Sequence, residues 1–482
     1  MEKNGFYNLK YSKWRTKGMG NKAQSLASKR IQSLLDESSF VEIGGCITAR
    51  ATDFNIQQSE TSADGVITGY GLIGGELVYL YSQDVTVLGG SIGEMHAKKI
   101  ANIYDMAMKM GVPVIGLLDC AGLRLQEATD SLQAFGELYL KQTLASGVVP
   151  QITAILGNCG GGLAVLSALA DFTFMEEQTG KLFVNTPNAL AGNEVSKCDT
   201  AAAKFQSEET GLVDFVGTEE EIFAGIRQLV SILPANNEDG IVYEVCTDDL
   251  NRACTELATM IGDMPSLLAN ISDKGLFVQT RAAYGEEMVT GFIKLNGNTV
   301  GAVANNAEEM TVKGVRKAAK FVKFCDAFEI PVLTLTNVKG FKATLCSEKQ
   351  IASEMAALIH SFAEATVPKV NVIIGKAYGS AYIAMNSKAI GADITYAWPN
   401  AEIGMMEAKL AAKIMYADTN SDTINQKATE YAELQTSVVS AARRGYVDTI
   451  IEAEHTRKYV IGAFEMLFTK KETRPAKKHG TV

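Results

Sequence analysis

The stretch ITAILGNCGGGLAVLSALADFTF, Ile152–Phe174, places four glycines within the six residues 157–162, between an apolar run and a series of small and aliphatic residues. Its pattern predicts a buried strand over Gln151–Leu156, a glycine turn, a helix through Ala170 and a further strand at FTFM. The first N–H groups of a helix have no intrahelical acceptor and carry the positive end of its dipole. Without Cβ atoms at Gly160, Gly161 and Gly162, a substrate oxygen can approach such donors closely. Two of them form an oxyanion hole for charge developing on a carbonyl. The competing explanation is that the glycines serve only tight packing of strand against helix.

A second copy of the junction tips that balance. SGVVPQITAILGNCGGG lies over EATVPKVNVIIGKAYGS, pairing Pro150 with Pro368, Gly157 with Gly375 and Gly161 with Gly379 at an offset of 218. MGVPVIGLLDCAG lies over FEIPVLTLTNVKG at the same offset, with Pro113 over Pro331 and Gly122 over Gly340. TGYGLIGGELVYLYSQ from Thr68 lies over TGFIKLNGNTVGAVAN from Thr290 at 222. One domain is therefore present twice, and two strand–glycine–helix junctions imply two carbonyls to be polarised.

Each copy reads as a strand pair, a helix, a buried strand, a loop, a second helix and the junction. In the first copy the pair turns at Gly74-Gly75. The helix covers about Gly93–Met110, with Ile100, Ile103, Ala107 and Met110 on one face, and is followed by a strand at Val112–Leu118 and a helix near Leu132–Ala145. Strands alternating with helices, and nearly continuous apolar strands, give an α/β class with a mainly parallel, buried sheet. The expected domains are 1–235 and 286–482, joined by a connection at 236–285. A turn and an amphipathic helix from about Ala453 close the chain.

At 482 residues, with 47% hydrophobic and 21% charged residues, the composition is that of a globular chain of two domains. A net charge of −10 argues against nucleic acid as a partner. Residues 1–30 lack the apolar segment of a signal peptide, and the apolar runs are too short to span a bilayer. The basic end, Lys470–His479, reads as a solvated tail. Eight scattered cysteines and four unclustered histidines predict free thiols, a reducing cytoplasm and no metal site.

Other candidate chemistry is weaker. GYGLIG at 69–74 has the spacing of a dinucleotide fingerprint, but a strand rather than a helix follows it, so it reads as a hairpin. Cys159 lacks a base and reads as a buried thiol, and Ser167 and Ser380 lack a His–Asp set. His96 reads as structural. Asp119 and Arg124 are expected to order their loop as a charged pair, and Glu402 and Glu407 as solvated or capping groups.

DGVITGYG, YSQDVTVLGGSIGEMHAKKI, PVIGLLDCAGLRLQE, ASGVVPQITAILGNCGGG, FAEATVPKVNVIIGKAYGSAY, YAWPNAEIGMM, RRGYVDTII and RPAKKHG together resemble the carboxyltransferase subunits of biotin-dependent acyl-CoA carboxylases, of propionyl- or methylmalonyl-CoA type. They equally resemble the α subunits of the related acyl-CoA decarboxylases. The similarity runs from about Leu26 to His479. It implies a tandem duplication of a crotonase-like (ClpP/crotonase) domain, the first copy on the acyl-CoA side and the second on the biotin side.

The resemblance further implies a homo-oligomer with active sites between subunits, with a dimer as its unit and a hexamer as an option. Coenzyme A thioester would be the substrate, and biotin would arrive as carboxybiotin on a separate biotin carboxyl carrier protein. Further partners would be a biotin carboxylase subunit, or membrane decarboxylase subunits through which an otherwise cytoplasmic protein would meet the membrane. Carried onto this sequence, Gly161 and Gly162 would hold the thioester oxygen, and Ser380 and Ala381 the biotin ureido oxygen. Gly122, Gly160, Leu163, Gly340, Phe341, Gly379 and Ile383 would line the two substrate sites.

The chain departs from the family pattern in several places. DSGGAR is DCAGLR (119–124), PGFLPG is KGFKAT (339–344) and YGGAYD is YGSAYI (378–383). KFQSEETGLVD (204–214) lacks the usual histidine. The altered KGFKAT loop raises the alternative of a non-catalytic assembly paralogue. The Met108-Lys109-Met110 triplet lies in a predicted helix, not in the hairpin turn of a biotin-attachment site.

Overall fold

The hairpin turns show how the sequence sets the fold. In a computed structural model that describes residues 25–50, 61–239 and 245–475, strands β2 (Val66–Ile73) and β3 (Glu76–Gln83) pair antiparallel, with Ile73 opposite Glu76. Gly74 and Gly75 between them both have positive φ, 60° and 88°. That is the two-residue turn whose twist matches the strands. The Asp36 carboxylate accepts both turn N–H groups, at 3.0 and 2.9 Å. The second copy repeats the device: Asn296 and Gly297 (φ 51° and 76°) turn between β10 (Met288–Leu295) and β11 (Asn298–Asn305), capped by Asp273 at 3.3 and 2.7 Å. GYGLIG is thus a hairpin, with no helix opening on its glycines.

The chain divides into two compact units at Asp239/Gly240. The first holds an eight-stranded sheet. Its other members are β1 (Val41–Ile43), β4 (Val114–Cys120), β5 (Gln151–Gly160), β6 (Phe172–Glu176), β7 (Lys181–Phe183) and β8 (Phe215–Gly217). Their order is β1-β2-β3-β4-β5-β6-β8, with β7 on the end of β5, and every pairing from β3 onward is parallel. Around it lie α1 (Leu26–Leu34), α2 (Glu94–Met110), α3 (Ala128–Ala145), α4 (Gly162–Leu169) and α5 (Glu219–Ile232). Helix α2 buries Ile100, Ile103, Tyr104 and Ala107 and ends at Gly111 in the left-handed region. Met110, expected on that buried face, is exposed in the last turn.

The second unit has the same order of strands. Strands β9 (Phe277–Thr280), β10, β11, β13 (Val332–Val338), β15 (Lys369–Tyr378), β16 (Ile394–Ala397) and β18 (Thr449–Ile450) follow one another, and β17 (Glu402–Gly404) pairs with β15. A separate pair joins β12 (Glu309–Met310) to β14 (Gly340–Phe341). Its helices include α6 (Met264–Ile271), α7 (Val312–Ala327), α8 (Ile351–Glu364), α9 (Gly379–Ala384), α10 (Ala408–Met415), α11 (Ser421–Tyr431) and α12 (Thr456–Leu467). The duplication is therefore one of architecture, strand for strand.

Three expectations change. Residues 254–280, read as part of a connection, belong to the second unit: Cys254, Leu257, Met264, Leu267, Leu268 and Ile271 are buried in its core, and β9 pairs with β10. The apolar spacing of α6 covers that core much as α1 covers the first, but no shared motif marks it. Strand β5 runs on through Gly160 rather than stopping at Leu156. The start of the basic tail is docked, with Lys470 donating to Val367 O and Asp393 at 3.1 and 2.9 Å and Arg474 to Ala363 O at 3.1 Å. Tail residues 476–479 and most of the N-terminal segment read for a signal peptide lie outside the described residues. Among the described residues no helix is long and apolar enough to cross a membrane.

Candidate active site

In the first unit the three consecutive glycines are required for two different reasons. Gly160 pairs with Phe183 in the β5–β7 ladder, and a Cβ there would sit 2.7 Å from the Phe183 ring. Gly161 has φ 64° and ψ −128°, a conformation reserved for glycine, and a Cβ there would meet nothing within 4 Å. Gly162 opens α4, where a Cβ would collide with the Phe135 ring and lie 2.7 Å from the Tyr139 hydroxyl. Tyr139 donates to the Gly162 carbonyl at 2.9 Å. Packing therefore explains Gly160 and Gly162, while the backbone and open space explain Gly161.

Of the two amides the sequence suggested here, Gly161 and Gly162, only that of Gly162 is open. The Gly161 N–H is taken, donating to the Phe183 carbonyl at 2.8 Å. Gly162 and Leu163, at the first turn of α4, have no acceptor for their N–H groups among the described residues. Gly122, in the loop after β4, has φ 106° and open space on its Cβ side. Its N–H donates only to the Cys120 sulfur, a weak acceptor, at 3.2 Å. The neighbouring Ala121 N–H is held by the Gly89 carbonyl at 3.0 Å.

The second unit presents the matching arrangement. Gly379 turns at φ 60° with its Cβ direction 3.2 Å from the Met405 carbonyl, and α9 begins there. Ser380 is exposed, Ala381 is buried, and neither N–H has an acceptor among the described residues. At the offset of 218, Ser380 and Ala381 stand over Gly162 and Leu163, so the open amides coincide in the two copies. Gly340 and Phe341 form β14 against β12, and Gly340 faces open space. Ile383 is 40% exposed on α9.

Lys339, the first residue of the KGFKAT loop, is held in ion pairs. Lys339 Nζ lies 3.7 Å from both Glu308 and Glu309, and Lys376, at the end of β15, lies 3.0 Å from Glu308. Tyr378 donates its hydroxyl to Glu402. Burial and that carboxylate hold the phenol well above its usual range. Glu402 is thus a partner of Tyr378 rather than a free solvated group.

Acid–base and nucleophilic groups near the first junction are internal. Burial, reinforced by Arg124, lowers His96 to about 3, and its ring contacts the Asp64 carbonyl at 2.8 Å and Gln83 at 3.3 Å. Burial raises the Cys159 thiol to about 12 and Cys120 to about 11. Ser167, 2% exposed, donates to Leu163 O at 3.3 Å. Asp119 and Arg124 do not pair with each other. Arg124 is buried between Asp64 and Glu127, at 2.5 and 2.7 Å, and Asp119 takes Arg30 at 3.0 Å. Among the described residues no cluster of His, Cys, Asp and Glu could hold a metal ion.

Sequence reasoning missed Phe183, and it placed Leu163 in the lining of the substrate site rather than among the amide donors. The short strand β7 has no apolar pattern of its own, but the 218-residue offset already placed Leu163 over Ala381.

Comparison with known proteins accords with this geometry. Residues 20–482 match the family model described as the carboxyl transferase domain. The chain is 39% identical over 478 residues to the methylmalonyl-CoA decarboxylase subunit alpha of Propionigenium modestum, covering 95% of this chain and 92% of that one. It is 41% identical over 474 residues to the propionyl-CoA carboxylase beta chain of Roseobacter denitrificans, covering 95% and 93%. Among solved structures, the transcarboxylase 12S hexamer core with methylmalonyl-coenzyme A and methylmalonic acid bound matches with a TM-score of 0.92 and 34% identity, over 100% of this chain and 99% of that one.

Proposed function

The chain belongs to the carboxyl transferase family, and from that premise we propose how its two junctions divide the chemistry. It is a biotin-dependent carboxyltransferase acting on a coenzyme A thioester, with a crotonase-like fold in two copies. In our reading the N–H groups of Gly162 and Leu163 receive the thioester oxygen of a short acyl-CoA as its α-carbon loses a proton. The Gly122 N–H, held only by a thiol, turns to the same oxygen. Ser380 and Ala381 receive the ureido oxygen of biotin, and Gly340 and Phe341 border that site.

Carboxybiotin, brought as a substrate on a separate carrier protein, supplies the carboxyl group as CO2 together with a ureido nitrogen able to take the α-proton. This chain's residues fit that task because each junction offers open amide donors to an oxygen. Negative charge on the enolate is met by fixed amide dipoles, which need no reorganisation as it develops. The enolate then attacks CO2. Run backwards, the same groups remove carboxylate from a malonyl-type thioester. The direction follows from the partners, a biotin carboxylase subunit or membrane decarboxylase subunits. The propionyl- and methylmalonyl-CoA names of the relatives favour a short acyl chain, and the hexamer assembly named for the transcarboxylase supports a homo-oligomer, in which our reading sets the sites between subunits.

The observation that carries the reading is the pair of open amides repeated at one offset in both copies. Incubating the purified chain with free biotin and malonyl, methylmalonyl, ethylmalonyl and glutaconyl thioesters tests it. Biotin-dependent loss of carboxylate from at least one thioester is expected. Absence of turnover on all of them, in correctly folded protein, would instead support an assembly role for the altered KGFKAT loop.

A further inference from the structure

Each unit contains the same break in its sheet, at the place where the two halves of its junction separate. Between β4 and β5 the register runs Leu118 opposite Ile155 and then Cys120 opposite Cys159; between β13 and β15 it runs Thr336 opposite Ile373 and then Val338 opposite Ala377. In both, two steps along one strand match four along the other. A bulge of this kind re-aims a strand end. The residue at each break is Asp119 or Asn337, and its side chain lies over a glycine of the bulge. A Cβ at Gly157 would collide with the Asp119 carboxylate, and one at Gly375 would come within 2.5 Å of Asn337 Oδ1.

Both residues are held alike from behind. The Asp119 N–H donates to Gln83 Oε1 at 3.1 Å, and the Asn337 N–H to Asn305 Oδ1, also at 3.1 Å. Gln83 and Asn305 are themselves related by the 222-residue offset. Forward, toward the bulge, the means differ. Asn337 Oδ1 accepts the Lys376 N–H directly at 2.9 Å. Asp119 holds Arg30 at 3.0 Å, and Arg30 donates on to the Leu156 carbonyl of β5 at 3.2 Å. Three residues beyond Asp119 and Asn337 stand Gly122 and Gly340. Five residues beyond Gly157 and Gly375 stand Gly162 and Ser380.

We propose that Asp119 and Asn337 are positioning residues, each fixing the distance between its glycine loop and its pair of open amides. The inference rests on the proposed function, and the two copies give it opposite signatures. Loosening Asn337 disturbs the biotin side, and loosening Asp119 disturbs the thioester side.

The test uses the full chain with free biotin and a malonyl-type thioester. Asn337→Ala is expected to lower kcat at least tenfold and raise the KM for biotin, leaving the thioester KM within twofold. Asn337→Asp, which keeps an oxygen for the Lys376 N–H, should recover most of the loss. Gly375→Ala, which pushes the Asn337 side chain off the bulge, should reproduce Asn337→Ala and decides the matter if that variant does not fold. Asp119→Asn should move the thioester KM and not that of biotin. Wild-type kinetics in Asn337→Ala, equal shifts in both KM values, or no rescue by aspartate would overturn the proposal. Hydrogen exchange over 374–381 provides a readout independent of turnover. Exchange there should quicken in Asn337→Ala and return in Asn337→Asp, and unchanged exchange refutes the latch even if the wild-type chain shows no activity.

Discussion

The Gly161 N–H donates to the Phe183 carbonyl at 2.8 Å, so the residue central to the glycine motif shapes the junction without offering its amide. The bond extends the β5–β7 ladder by one residue and pins the chain at the one point where φ turns positive. It directs the next two amides, those of Gly162 and Leu163, away from any internal acceptor.

Gly161→Ala should therefore act through backbone strain. A Cβ would fit in space, but φ 64° with ψ −128° is unfavourable for any L-residue. A loss of about 1–3 kcal/mol in unfolding free energy is expected, with a fall in kcat from misplacement of the following amides. Denaturant melts and steady-state kinetics of the same preparation check it.

Tyr139→Phe removes the hydroxyl that donates to the Gly162 carbonyl at 2.9 Å while keeping the ring. A loss of about 1 kcal/mol is expected, and the effect on turnover should appear in the KM for the thioester rather than for biotin. Paired melting curves and substrate titrations measure both.

His96 predicts an acid limit to stability. Burial and the nearby Arg124 and Lys99 hold its folded value near 3, against 6.5 when free, while Asp64 accepts from its ring and main chain. Below pH 6.5 the unfolded chain binds a proton that the folded chain refuses. Stability from this group is therefore complete above about pH 6.5 and declines as the pH falls toward 3. The slope approaches about 1.4 kcal/mol per pH unit. His96→Gln should flatten the decline, as read from urea midpoints at a series of pH values.

Much of this was legible in the sequence, for identifiable reasons. The duplication shows because Pro113, Pro150 and the junction glycines have fixed backbone roles, and they recur at 218 in Pro331, Pro368 and their partners. The hairpins show because Gly74-Gly75 and Asn296-Gly297 are residues that tolerate positive φ in succession. The role of residues 254–280 did not show, because α6 packs by apolar spacing that many sequences satisfy. Gly162, Ser380 and Ala381 were legible as amide donors, but that Leu163 stands in place of Gly161 was hidden by β7, whose Phe183 carbonyl reaches Gly161 across 22 residues of chain. A main-chain acceptor leaves no trace in residue type. Asp119 and Arg124 misled because proximity in sequence suggested a pair, whereas Asp119 takes the distant Arg30 and Arg124 takes Asp64 and Glu127.

Ser380 provides the most direct test of the claim that main-chain amides carry the chemistry. Its side chain should be dispensable and its N–H essential, and the second position of a helix tolerates proline because its N–H has no intrahelical acceptor. Biotin-dependent turnover should therefore stay within about twofold for Ser380→Ala and fall by roughly 10²–10³ for Ser380→Pro. A proline variant that folds and turns over at the wild-type rate would contradict the account.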